Sequence, residues 1–95
     1  MEILVVCGAG LGSSFACQMA VESVLQEMNV NAKVDHSDIA SAAGSRADLI
    51  ILASNFRNQI EKYNLSNKVM FLDRLIDQEE IKSKIVPILK DLGEL

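Results

Sequence analysis

A β-branched and aliphatic run, Glu2 to Val6, passes without a spacer into Cys7-Gly8-Ala9-Gly10-Leu11-Gly12-Ser13-Ser14, and then into a helical stretch reaching about Met28. This succession of strand, glycine loop and helix is the strongest constraint on what the chain can become. Three glycines within five positions let the backbone curl so that successive N–H groups point inward, and the helix that follows adds its own unsatisfied N–H groups at the same place.

Three further strands are predicted at Asn31 to His36, Asp48 to Ala53 and Lys68 to Leu72. Continuous apolar strands alternating with helices indicate a parallel sheet covered on both faces. Ser37 is the predicted cap of a short helix through Asp38, Ile39, Ala40, Ala42 and Ala43, ended by Gly44. Ser54 or Asn55 should cap a helix over Phe56 to Lys62 that buries Ile60. The last helix opens with Asp77 and Glu80 in capping-box spacing and sets Ile81, Ile85, Ile88 and Leu92 on one stripe. Pro87 lies inside it and predicts a kink or break near Lys84 to Val86.

The expected fold is therefore α/β: a four-stranded parallel sheet in the order 2-1-3-4 with helices on both faces, a Rossmann-like three-layer arrangement formed by residues 1–95 as one domain. In that order the first strand is central and Cys7 stands at the topological switch point. Ligands of open parallel sheets bind beyond the strand carboxyl ends, the edge toward which Cys7, His36, Ser54, Asn55, Asp73 and Arg74 project.

Composition narrows the function. Ninety-five residues, 49% hydrophobic and only 4% aromatic, suit one small aliphatic core. The longest apolar runs, such as Leu49 to Ala53, fall far short of the roughly 20 residues of a membrane span, and Glu2 argues against a basic leader; a cytoplasmic protein is expected. A net charge of −4, without a basic stripe, argues against nucleic acid as a partner. Two cysteines and one histidine, with neither CxxC nor HxxxH spacing, do not make a zinc site, and neither a metal, a cofactor nor a structural disulfide is expected.

The loop carries the chemistry. A phosphoryl group there would be held by main-chain donors of Gly8, Ala9, Gly10, Leu11, Gly12, Ser13 and Ser14, with the two serine hydroxyls adding to them. Cys7 is the residue positioned to bond to it. An ordinary thiol has a pKa near ~8.5, and a helix N-terminus stabilises a nearby anion by roughly 0.3–1 kcal/mol, occasionally ~2, which lowers a pKa by about one unit. Loop N–H groups bonding the sulfur take it further toward the thiolate without a neighbouring base.

Cys17 differs. At helical spacing Ala16, Cys17, Ala20, Val21, Val24 and Met28 share one face, which makes Cys17 a core residue. Phe15 and Met19 fall on the other side, among Gln18, Glu22 and Gln26, and are either a docking surface beside the loop or a patch covered by neighbouring segments. His36 is read as either a solvated strand-end residue or a proton or phosphoryl relay. Arg57 and Arg74 are read as surface charges, with phosphate pairing as the alternative.

The pattern Cys7 to Ser14 resembles the C-G-x-G-x-G-S-S loop of the enzyme IIB components of the sugar phosphotransferase system, the ascorbate type in particular; the galactitol type shares only C-G-x-G. The resemblance implies that Cys7 accepts a phosphoryl group from a phosphohistidine on a IIA partner and passes it to a sugar held by a IIC membrane transporter. The main rival is a low-molecular-weight tyrosine phosphatase or arsenate reductase, which also opens with a strand, a nucleophilic cysteine loop and a helix. Such a phosphatase needs an arginine six positions after the cysteine, where this chain has Ser13. A nucleotide-binding module fits less well, because the last glycine of GxGxxG is replaced by Ser13 and no GK[ST] follows.

Overall fold

The computed structural model describes residues 1–6, 13–42, 44–62, 67–74 and 76–93, the side chains of Ser13, Ser14 and Asn55 excepted. Four strands, β1 (Glu2–Val6), β2 (Lys33–Ser37), β3 (Leu49–Ala53) and β4 (Lys68–Leu72), form a sheet in the order β2-β1-β3-β4. Every pairing is parallel, with Val5 opposite His36 on one side and Ile51 on the other. The expected order and strand direction are thus the observed ones. Relative to expectation, β2 begins two residues later and ends one later, at Ser37, and β3 begins at Leu49.

Strand alternation splits the core into two unequal layers. Ile3, Val5, Val34, Leu49, Ile51, Met70 and Leu72 face α1 (Ser13–Glu27) and α4 (Gln78–Asp91), which contribute Cys17, Val21, Val24, Leu25, Ile81, Ile85 and Leu89. On the other face Leu4, Val6, Ile50 and Leu52 pack on Ala42 of α2 (Ile39–Ala42) and Ile60 of α3 (Arg57–Glu61).

Local signals explain where the helices stop and start. Asn29 takes a left-handed φ of 57° just past α1, and the Val30 N–H returns to the Leu25 carbonyl at 2.9 Å, so asparagine fills the role glycine usually plays. Asp38, not Ser37, caps α2: its Oδ1 accepts from the Ser41 N–H at 2.8 Å, while Ser37 ends β2. Hydrogen bonding by Ser41 also holds the Asp38 carboxyl below the usual aspartate range, its backbone N–H having the largest effect. The helix expected over Phe56 to Lys62 is present as α3, but Ser54–Phe56 form a 3-10 turn that leads into it, and the entry positions Ala53 and Phe56 carry no side-chain cap. Ile60 is buried, as its spacing indicates.

The last helix corrects three expectations. Its buried stripe is Ile81, Ile85 and Leu89; Ile88 and Leu92 are only partly buried, because residues four apart drift slowly round the helix and keep facing the sheet. No break interrupts it at Pro87. The carbonyl that loses its usual donor there belongs to Ser83, and both residues are exposed, so water can satisfy it. Asp77 caps the helix through the Glu79 and Glu80 N–H groups, but Glu80 does not complete a capping box. Its carboxylate instead accepts from the N–H groups of Asp73 and Arg74, both at 2.8 Å, and from Lys84 Nζ at 2.7 Å.

Candidate functional site

The carboxyl edge of the sheet is where the elements deliver the chemistry-bearing residues. Val6 ends β1, a central strand of the sheet, and Ser13 begins α1 seven residues beyond Val6. The intervening Cys7, Gly8, Ala9, Gly10, Leu11 and Gly12 lie outside the described residues, as do the side chains of Ser13 and Ser14. What is described frames them: the central strand ends immediately before Cys7, and a 15-residue helix starts immediately after Gly12, with no acidic residue in its first turn. The partial positive charge of that helix end is therefore not neutralised by its own side chains.

Phe15 and Met19 are 55% and 56% exposed, so no described segment covers them. Ala16, expected in the core, is exposed as well; one face of α1 is narrower than the apolar spacing suggested. With Ile76, 65% exposed, and with Ala20, Ser23 and Gln78, Ala16 and Met19 line an open apolar groove between α1 and the start of α4. Cys17, by contrast, is fully buried in the α1 and α4 layer, as its helical position indicates.

His36 sits exposed near the end of β2, but it is not merely solvated. Its Nδ1 is hydrogen-bonded to Gln18 Oε1, and its ring meets the Phe15 ring edge-on at 6.0 Å between centroids. Gln18, whose Nε2 donates to the Val34 carbonyl at 2.7 Å, thus ties α1 to β2. Sequence reasoning passed over this glutamine, since a polar residue mid-helix carries no signal until a strand is laid beside it.

The two arginines are separate from this cluster. Arg57 stacks its guanidinium 4.2 Å from the centroid of Phe71, on the face opposite α1. Arg74 is largely exposed, with only a 4.0 Å approach to Asp77. Asp73 and Arg74 do reach the carboxyl edge, but Glu80 already occupies their N–H groups. Lys84 completes that lock by donating to the Phe71 carbonyl at 2.8 Å and to Glu80, whose carboxyl is lowered from the ordinary 4.5 to about 2, the Lys84 hydrogen bond being the largest cause. Among the described residues, no helix is long and apolar enough to cross a membrane.

Comparison with known proteins agrees with this arrangement. The family model described as "PTS system, Lactose/Cellobiose specific IIB subunit" matches residues 2–86. The ascorbate-specific PTS system EIIB component of Mycoplasma pneumoniae is 28% identical over 91 residues, covering 94% of this chain and 95% of that protein. In fold, the chain is similar to the lactose-specific IIB component domain of the phosphoenolpyruvate:carbohydrate phosphotransferase system from Streptococcus pneumoniae, with a TM-score of 0.62 at 18% identity over 95% of each chain.

Proposed function

The chain belongs to the lactose/cellobiose-specific IIB family of the sugar phosphotransferase system, and from that premise we propose that Cys7 is the residue on which it carries the phosphoryl group. A phosphocarrier of this system is a phosphotransferase component, and IIB components in general work with IIA and IIC partners. The observation that carries the Cys7 reading is the start of α1 at Ser13, directly behind a glycine loop and without an acid in its first turn. An anion on Cys7 would meet loop N–H groups and an uncompensated helix end.

In the proposed step the Cys7 thiolate attacks the phosphorus of a IIA phosphohistidine. The S–P bond forms as the N–P bond breaks, and the electron pair of that bond returns to the donor imidazole. Because the attacking group is already a thiolate, Cys7 has no proton to lose and no general base is needed. Gly8, Ala9, Gly10, Leu11, Gly12, Ser13 and Ser14 supply the donors that hold the phosphoryl oxygens; in the second transfer a hydroxyl oxygen of a sugar on a IIC transporter bonds to phosphorus as the S–P bond breaks, Cys7 leaves as the thiolate, and the hydroxyl proton passes to water.

Several finer points belong to the same reading. The sugar is ascorbate, supported by the loop spelling and by the ascorbate-specific relative. Phe15 and Met19 form part of the partner-docking surface, residues 1–95 act as one domain, and the protein works on the cytoplasmic side, meeting the membrane only through the transporter. Ser13, where a phosphatase has arginine, leaves no cationic clamp for rapid hydrolysis, so the phosphocysteine persists until the acceptor arrives.

A paired substitution tests this. Cys7→Ser should leave the fold intact and abolish acceptance of phosphate from a phosphohistidine donor, since a serine hydroxyl is not ionised by a helix end contributing at most ~2 kcal/mol. Cys17→Ser should spare transfer and cost about 1–3 kcal/mol of stability, by desolvating a hydroxyl where a weakly polar thiol is fully buried. Retained transfer in Cys7→Ser would refute the proposal.

A further inference from the structure

Phe15 is 55% exposed, yet a chain of contacts runs back from its ring to the sheet. The ring meets His36 edge-on, with 66° between the planes. His36 Nδ1 is bonded to Gln18 Oε1, and Gln18 Nε2 donates to the Val34 carbonyl. That carbonyl only accepts, so the amide nitrogen faces it and Oε1 faces His36; Oε1 also only accepts, so His36 Nδ1 is the donor. The far end of the chain is backbone. The Lys33 N–H reaches the Met1 carbonyl, which turns the backbone groups of Lys33 toward β1 and those of Val34 away from it. Because β2 is an edge strand, Gln18 takes a carbonyl on the open side of the sheet.

These directional contacts secure an exposed ring. The helix itself already packs on the sheet through Cys17, Ala20, Val21, Val24 and Leu25. A large side chain that is free to change rotamer loses that freedom when a partner covers it, and binding is weakened accordingly; a ring already held in one orientation loses less. Fixed aromatic side chains make the strongest anchors at protein interfaces. Met19, one turn along α1 from Phe15, and Ile76, just before α4, are the other two large apolar side chains exposed among the described residues, and both line the groove between those helices.

We infer that Gln18 and His36 are positioning residues, which hold the Phe15 ring in the orientation on which the phosphorylated IIA donor docks. The inference rests on the reading of Phe15 and Met19 as a docking surface. Charge selects the donor as the occupant. Phe15 stands in the first turn of α1, a helix end with no acid in that turn. On the carrier reading this end is unfilled when the donor arrives with its anionic phosphohistidine, and already holds the phosphoryl group when the transporter is met. Gln18 and His36 act through Phe15 and take no part in the bond changes.

The test follows single-turnover phosphoryl acceptance against the concentration of a phosphorylated IIA protein, which separates donor binding from transfer. His36→Ala and Gln18→Leu should each raise the half-saturating donor concentration by roughly three- to ten-fold and leave the limiting rate unchanged. Phe15→Ala should raise it by about ten-fold or more. In a Phe15→Ala background, His36→Ala should add nothing, because the ring it positions is gone. Three-bond couplings should report a single χ1 rotamer for Phe15 in the unmodified chain and averaging in His36→Ala, with the fold of this exposed-site variant intact. An unchanged half-saturating concentration in His36→Ala, or effects of His36→Ala and Phe15→Ala that simply multiply, would overturn the inference and leave docking at Phe15 standing. No change in Phe15→Ala would overturn the docking reading and the inference with it. Effects confined to discharge onto the transporter would overturn the choice of the donor. Phosphate mapping in each variant tests the Cys7 reading separately from all of these.

Discussion

The two long helices both begin at the carboxyl edge of the sheet, yet their amino ends are finished in opposite ways. The end of α4 is closed by its own side chains: Asp77 accepts from two N–H groups, Glu79 and Glu80 lie in the first turn, and Glu80 also takes up the N–H groups of Asp73 and Arg74. The end of α1 has no acid in its first turn and follows three glycines and a cysteine. A helix end that carries its own carboxylates has no electrostatic use for an external anion; one that lacks them does. On the proposed reading, the α4 end serves structure and the α1 end serves the phosphoryl group.

Adding an acid to the α1 end should break the distinction most strongly. In Ser13→Glu a carboxylate would repel the incoming phosphoryl group and neutralise the helix end, so the rate of phosphoryl acceptance should fall by about ten-fold, equivalent to ~1.4 kcal/mol, with the thermal midpoint unchanged or raised. An unchanged transfer rate would mean that the α1 end plays no part in holding the phosphoryl group. At the α4 end the effects should appear only in stability. Glu80→Gln removes a charged acceptor from two backbone N–H groups and Lys84, and denaturant titration should record a loss of about 1–2 kcal/mol with transfer preserved.

The same carboxylate sets a pH window. Glu80 is lowered from 4.5 to about 2 in the folded chain, so its stabilisation is fully present above about pH 4.5 and is lost as pH falls toward 2. Acid unfolding of Glu80→Gln should lack that component. The smallest effect is expected for Asp77→Ala, about 1 kcal/mol for loss of a helix cap, again with transfer intact.

How much of this was legible from the chain follows the same division. The strands could be read directly, because buried parallel strands such as Leu49 to Ala53 are continuous aliphatic runs, and the order 2-1-3-4 then follows from handedness. The burial of Cys17 and Ile60 followed from helical spacing. Side-chain partnerships across elements did not. Glu80 has the spacing of a capping box, but its reach toward the β4–α4 turn depends on where β4 ends, and Gln18 acquires meaning only beside Val34 and His36. Pro87 predicted a break that its exposed setting does not require. The loop motif was the most specific signal in the sequence, and the family match agrees with the resemblance it suggested.

The central claim is that the phosphoryl group is carried on Cys7. The most direct measurement is intact mass followed by peptide mapping, under conditions that preserve phosphocysteine, after incubation with a phosphohistidine donor system. One phosphoryl group per chain, located on Cys7 and absent from Cys17 and His36, is the expected result. Phosphate on His36, or none on Cys7 in a chain competent to receive it, would contradict the account.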